Sequence, residues 1–200
     1  MLKLLMNLLE KFFSSKKKNK DALEQIQLTK ELNQEIKKIL TKEEKMEIDW
    51  SNPKSKISKH FTVHEATFLP SWRVYHKPSE EEKKELIKTA KKMDILRDRI
   101  GKACIIHVWI RPKKANCEGH ERHGQDYNVF IGSTSKKSAH IFGRGVDFHF
   151  SGFAGPKGCS EIREKIKPWL EELDIRMEDI QGGWIHIDTN PVGYRRFFKP

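Results

Sequence analysis

The chain is poor in cysteine, has no long apolar run and carries no arginine-rich tract. Its 200 residues hold three cysteines, Cys104, Cys117 and Cys159, an odd number with no Cys-x-x-Cys pair. A disulfide framework is therefore not expected, and free thiols from a reducing site of synthesis fit the count. No uncharged stretch approaches the ~18 apolar residues of a spanning helix. Met1–Phe13 is rich in Leu and Phe, but Lys3, Glu10 and Lys11 interrupt it. It also lacks a small-residue cleavage site after a clean apolar core, so no standard signal peptide is read there. The expectation is synthesis in the cytoplasm, with any extracellular action following release or another export route. No nucleic-acid-binding motif is present, and no specific nucleic-acid partner is expected.

Acidic residues are in the minority. Lys and Arg number 39 against 28 Asp and Glu, which gives a formal charge of +11 and a pI near 9.5. Such a surface favours polyanions: nucleic acid, anionic lipid, or a bacterial wall with acidic peptides and teichoic acids. The positive charge is not confined to a tail, because residues 1–59 hold 14 Lys against 9 acids, a balance of +5.

Two parts are expected. Residues 1–52 read as a helical, amphipathic extension with a linker. Leu4, Leu5, Leu8, Leu9 and Phe12 recur at helical spacing, which suits a helix lying on a membrane surface or on an assembly partner. Ser14–Lys20 reads as a solvated linker. Asp21–Lys45 is a second helical stretch, with Asp21 as a cap and Glu24 three residues on. Residues 53–200 read as one globular domain. Thr62 is a plausible helix cap. Ser79 caps a helix whose first turn is Glu80, Glu81 and Glu82, with Leu86, Ile87, Ala90, Met93 and Leu96 as the buried stripe and Gly101 at its end. Ala103–Ile110 and Val146–Phe150 read as strands, Ser160–Leu173 as a helix and Trp184–Asp188 as a strand. Lys113–Ser138 is a long polar loop, a length that is usually functional or mobile.

Alternation in a strand sorts side chains onto two faces. Asp147 thereby shares a face with His149, opposite Val146, Phe148 and Phe150. Trp184, His186 and Asp188 share a face, opposite Ile185 and Ile187. Bringing the two strands together would collect His140, Asp147 and His186 around one point, with Gly143, Gly145, Gly182 and Gly183 allowing close backbone approach. Two imidazoles and a carboxylate are a ligand set for zinc with one coordination position left for water. Asp188, two residues beyond His186 on its face, is then the nearest proton carrier. A second grouping, Cys117-x-x-His120-x-x-His123, has a spacing compatible with a metal site, although its polar, glycine-interrupted setting favours free side chains.

Ser138-Ala-His140-x-x-Gly-Arg-Gly-Val-Asp147, followed by Trp184-Ile-His186-Ile-Asp-Thr, resembles the zinc D-Ala-D-Ala carboxypeptidase and L-Ala-D-Glu endopeptidase family. That family includes phage endolysins and is related in fold to the hedgehog signalling domain. Phe61-Thr-Val-His-Glu-Ala-Thr is similar to the opening motif of one branch. Val108-Trp-Ile-Arg111-Pro-Lys-Lys-Ala-Asn116 stands where that branch has an arginine segment, and Arg195-Arg-Phe-Phe198 also fits. The resemblance covers about residues 57–200. It implies an α+β fold, with a small, mainly antiparallel sheet and flanking helices. It implies zinc held by His140, Asp147 and His186, and hydrolysis of an amide bond in peptidoglycan stem peptides. Arg111 matches the arginine that holds a substrate carbonyl or carboxylate, a task suited to a fixed, charged fork. Ser138 matches a residue that steadies the metal-site loop and, with Trp184, is expected to contact substrate. Two departures stand out. Gly183 occupies the position where many members carry the catalytic acid, which leaves Asp188, or else Glu178 or Asp179, for that role. Trp109, Ile110 and Pro112 replace small residues around Arg111. A catalytically inactive wall-binding or virion module, and a lysine-driven polyanion binder, are the alternatives.

Overall fold

A computed structural model describes residues 30–31, 48–133, 135–193 and 195–199. Ile48–Pro200 forms one compact unit, and Met1–Glu47 is a separate one. Of the latter only Lys30 and Glu31 are described, both helical and exposed. The amphipathic helix expected over residues 1–13 and the linker lie outside the described residues, as does the helix over 21–45 apart from these two positions. The globular unit begins at Ile48, slightly before the composition change at Asn52-Pro53, because Ile48 and Trp50 pack against its core.

The unit is α+β. In chain order it comprises helix α1 (Val63–Thr67), a short hairpin β1 (Phe68–Leu69) and β2 (Val74–Tyr75), and the long helix α2 (Glu80–Ile100). Strand β3 (Cys104–Val108), helix α3 (Tyr127–Phe130), a 3-10 turn (Ala139–Phe142) and strand β4 (Gly145–Phe150) follow. Helix α4 (Gly155–Ile166), a second 3-10 turn (Lys167–Trp169), and strands β5 (Arg176–Glu178), β6 (Ile185–Asp188) and β7 (Phe197–Phe198) complete it. The main sheet has the order β3-β4-β6-β5-β7. Its first three pairings are antiparallel and β5–β7 is parallel, so the sheet is mainly antiparallel with one mixed edge.

The helix ends follow from the sequence. Ser79 and Glu82 form a reciprocal capping box on α2, as Thr62 and Glu65 do on α1. Gly101 closes α2 at φ 69°, in the left-handed region. The buried face of α2 is Leu86, Thr89, Ala90, Met93 and Leu96. Helix α4 starts at Gly155, earlier than the expected Ser160, with Pro156 in its first turn, where a missing N–H costs nothing. Its expected last turn tightens into the 3-10 turn at Pro168, which cannot donate to an α-helical ladder. Strand β3 stops at Val108, and Trp109 and Ile110 continue the core without joining the ladder.

The core lies between the sheet and the helices. Val146, Phe148, Phe150, Ile185 and Ile187 are fully buried, as their alternation requires. Phe61 meets Trp109 edge to face, with centroids 5.4 Å apart. Each such ring is worth ~1.5–3 kcal/mol on burial. The opposite face of the sheet carries the polar residues of β4, β5 and β6. The Lys113–Ser138 loop folds back on itself through Ala115 N–H to Gln125 O (2.9 Å) and Gly124 N–H to Ala115 O (2.8 Å). Helix α3, capped by Asp126, interrupts it. Between Lys113 and Ser133 the loop thus has its own backbone bonds and its own helix.

Candidate metal centre

Strands β4 and β6 pair so that Asp147 stands directly opposite His186. His140 comes from the 3-10 turn that precedes β4. Gly143 ends that turn at φ 71°, and a side chain there would press on Leu86. A Cβ at Gly145 would lie 3.0 Å from the His186 ring and 3.1 Å from the His140 backbone N. Glycine is therefore what lets the turn and β6 close over β4.

The result is a convergence of three donors. His140 Nε2 lies 3.2 Å from Asp147 Oδ1 and 3.0 Å from His186 Nδ1, and that Nδ1 is 2.7 Å from the same carboxylate oxygen. All three residues are buried. Their ligand atoms lie within 4.8 Å of one another, so the group can hold a metal ion. Among the described residues it is the one cluster with this property.

The outward sides of the donors are also fixed. His140 Nδ1 lies 2.6 Å from the Trp109 carbonyl, which can only accept, so the proton sits on Nδ1 and Nε2 keeps its lone pair for the centre. Asp147 Oδ2 accepts from the Arg111 guanidinium, leaving Oδ1 to face the histidines. His186 Nε2 lies 3.6 Å from Asp188 Oδ2. A carbonyl or carboxylate behind each imidazole is the arrangement that fixes the tautomer and orientation of metal-binding histidines.

The electrostatics follow from burial and neighbours. Burial disfavours the His140 cation and lowers its pKa despite Asp147. Burial works against the Asp147 anion too, but His140 and His186 outweigh it and hold the carboxyl well below its ordinary value. Burial also opposes charge on His186, yet Asp147 and Asp188 prevail and push its pKa up to about 9.

The centre opens into a cavity of about 350 Å³. Arg111 and Ser138, the residues expected to contact substrate, are among those that line it. The second half of the long loop contributes Ser133, Ser135 and Lys137 to its wall. Trp184 is 43% exposed, precedes the first residue of β6 and is not among the lining residues. Its carbonyl accepts from Arg163, and its ring covers Gly182.

The two carboxylates offered for proton transfer differ in place. Asp188 is 1% exposed and fully engaged: Arg176 grips both oxygens at 2.8 Å, and Asn190 N–H adds a third bond at 2.9 Å. Burial opposes its charge, but His186 and Arg176 hold its pKa below the ordinary value. Glu178 also lines the cavity. It alternates with Arg176 on β5, and Arg176 is paired with Asp188, so Glu178 lies on the site face beside His186. Among the described residues its carboxylate has no hydrogen-bond or salt-bridge partner. Burial raises its pKa, against the pull of His186. Neither β5 nor β7 is legible as a strand in the sequence, so the position of Glu178 had no local signal. Asp179 is outside the cavity lining, its N–H bonded to the Phe198 carbonyl.

Cys117, His120 and His123 do not converge. Cys117 N–H donates to His123 Nδ1, and Arg122 N–H to His120 Nδ1, so ring nitrogens are spent on backbone. All three cysteines are free and buried.

No family model matches the chain, and neither a curated protein nor a solved structure is significantly similar to it.

Proposed function

We propose that the chain is a zinc-dependent peptidase that hydrolyses an amide bond in peptidoglycan stem peptides, as a carboxypeptidase or an endopeptidase. The observation that carries this reading is the buried His140–Asp147–His186 group opening into a cavity that also holds a free carboxylate, Glu178, and a guanidinium, Arg111. The resemblance of the two motif segments to the D-Ala-D-Ala carboxypeptidase family supplies the substrate class.

The donor set fits zinc: two imidazole nitrogens and one carboxylate oxygen, each oriented from behind, with the fourth side open to the cavity. When bound, zinc would supply a Lewis acid that polarises the scissile carbonyl and acidifies a water. The chain's own residues do the rest. Glu178 takes the proton from the attacking water at its carboxylate and passes it to the departing amine. Its free oxygens and its pKa, raised by burial, suit both halves of that transfer. Asp188 is a positioning residue: it also lines the cavity, but Arg176 grips both its oxygens, and it backs His186. This differs from the role expected for it, because proximity along the strand says nothing of what occupies its oxygens. Arg111 orients Asp147 and presents its remaining N–H groups to the substrate's carbonyl or carboxylate. The basic surface concentrates the protein on the anionic wall.

The test is digestion of purified peptidoglycan by wild type and His186→Ala at matched zinc, with mass spectrometry of the products. Stem-peptide cleavage by the wild type alone is expected and names the bond. Zinc bound by the wild type without any cleavage would overturn the peptidase reading in favour of a wall-binding module.

A further inference from the structure

Nine histidines are present, and all are described. Seven have a ring nitrogen engaged with a carboxylate, carbonyl, amide or hydroxyl: His60 with Asp98, His64 with Tyr75, His76 with Glu82, His120 with Arg122 N–H, His123 with Cys117 N–H, and His140 and His186 in the centre. Among the described residues the remaining two, His107 and His149, meet only each other. His107 Nε2 lies 2.6 Å from His149 Nδ1, with ring centroids 4.9 Å apart and planes at 71°.

Their placement is built by the sheet. The β3–β4 register slips between Ile106 and Val108, so His107 is the extra residue of a bulge. Bulges re-aim side chains and are frequent beside active sites. Here the bulge sets His107 against His149 on the face that carries Asp147. His107 is exposed and His149 half-buried, so the point between the two nitrogens is open to solvent. Water would satisfy both rings as well as they satisfy each other, so hydrogen bonding alone gives no reason for the convergence. The same contact appears in the metal centre, where His140 Nε2 and His186 Nδ1 are 3.0 Å apart.

We propose that His107 and His149 form a second, open site for a divalent transition metal on this face. Two imidazoles on adjacent strands make a rigid chelate, and waters or a substrate carboxylate complete the coordination. An ion about 2.0–2.1 Å from each nitrogen in tetrahedral geometry sets the nitrogens roughly 3.3 Å apart. Side-chain rotation alone provides that opening at an exposed position. Asp147 is two residues from His149 along one strand, so the two sites lie roughly 7 Å apart along the sheet. With imidazole and water as its ligands, the open site binds Cu²⁺ more tightly than Zn²⁺. The inference does not depend on the peptidase reading.

The experiment is zinc and copper titration of the metal-stripped full chain, with bound metal counted after dialysis and Cu²⁺ followed by electron paramagnetic resonance. Wild type should bind two zinc ions per chain, one at least tenfold more weakly. His107→Gln and His149→Gln should each lose the weak ion alone. His140→Ala should lose the tight ion and keep the weak one, its Cu²⁺ spectrum showing coupling to two nitrogens. A weak ion that persists in the His107→Gln/His149→Gln double variant overturns the proposal, as does a wild type whose single bound ion is lost in His140→Ala. A weak ion in a chain that never shows the tight one sustains this proposal and sinks the zinc centre instead.

Discussion

Two stretches of this chain offer metal-binding side chains in similar numbers, and they end differently. Cys117, His120 and His123 lie within seven residues, on a loop closed by its own backbone. His140, Asp147 and His186 are spread over 47 residues and three structural elements. The near neighbours stay apart and the distant ones converge. A loop that must satisfy its own amides uses nearby side chains as acceptors, as His120 and His123 are used. In a sheet the ladder satisfies the backbone, which leaves side chains free and places them by register. Closeness in sequence is therefore a poor guide to a site here, and element type is a better one.

The largest test of that contrast is substitution in both places. His186→Ala should lose the bound ion and bring hydrolysis to background, while His120→Ala and His123→Ala should leave both within about twofold, as surface changes do. Loss of metal on removing His123 would break the comparison. Next comes the division of labour between the two carboxylates. Glu178→Gln should lower kcat by roughly 10²–10⁴ with zinc affinity nearly kept. Asp188→Asn should instead weaken zinc binding roughly 10–100-fold, as loss of an orienting partner does. Zinc titration beside steady-state kinetics separates these outcomes, and a reversed pattern would return the proton to Asp188.

A smaller effect is expected at Gly145. Its alanine variant pushes a methyl against His186 and the His140 backbone. That should cost about 1–3 kcal/mol of stability and weaken metal binding, read by urea unfolding with and without zinc. The smallest concerns the loop's anchor. Glu82 accepts from His76, whose other nitrogen accepts from Asn116 N–H beside Cys117. Burial opposes the Glu82 charge, but His76 and Ser79 outweigh it and hold the carboxyl below its ordinary value of 4.5. A depressed carboxyl stabilises the fold above the unfolded value and loses that stabilisation as pH falls through the folded one. Glu82→Gln should therefore cost about 1 kcal/mol at pH 7, with the deficit closing toward pH 3. The centre should bind zinc as before, since the anchor serves the loop and not the triad. Urea midpoints at the two pH values, with zinc titration at pH 7, check both halves.

Much of the scaffold was legible because its signals are local. The capping box at Ser79, the stripe of α2, the stop at Gly101 and the alternation in β4 and β6 each lie within one element. The ends of α4 were misplaced because Gly155-Pro156 starts a helix without a polar cap and Pro168 tightens one without stopping it. Strands β5 and β7, of three and two residues, are too short to show a period, and with them went the place of Glu178.

The sequence by itself determined the three candidate donors and, for Asp147 and His186, the face each would take, since alternation is a property of a single strand. It could not rank Asp188 against Glu178, or His120 against His140, because those outcomes depend on which groups already hold each nitrogen and oxygen. Only the tertiary structure decided that. The pairing of β4 with β6 sets Asp147 opposite His186, the Trp109 carbonyl frees His140 Nε2, and Arg176 closes Asp188 while β5 leaves Glu178 open. These are contacts between residues far apart in the chain, formed by register and packing, and no local pattern encodes them.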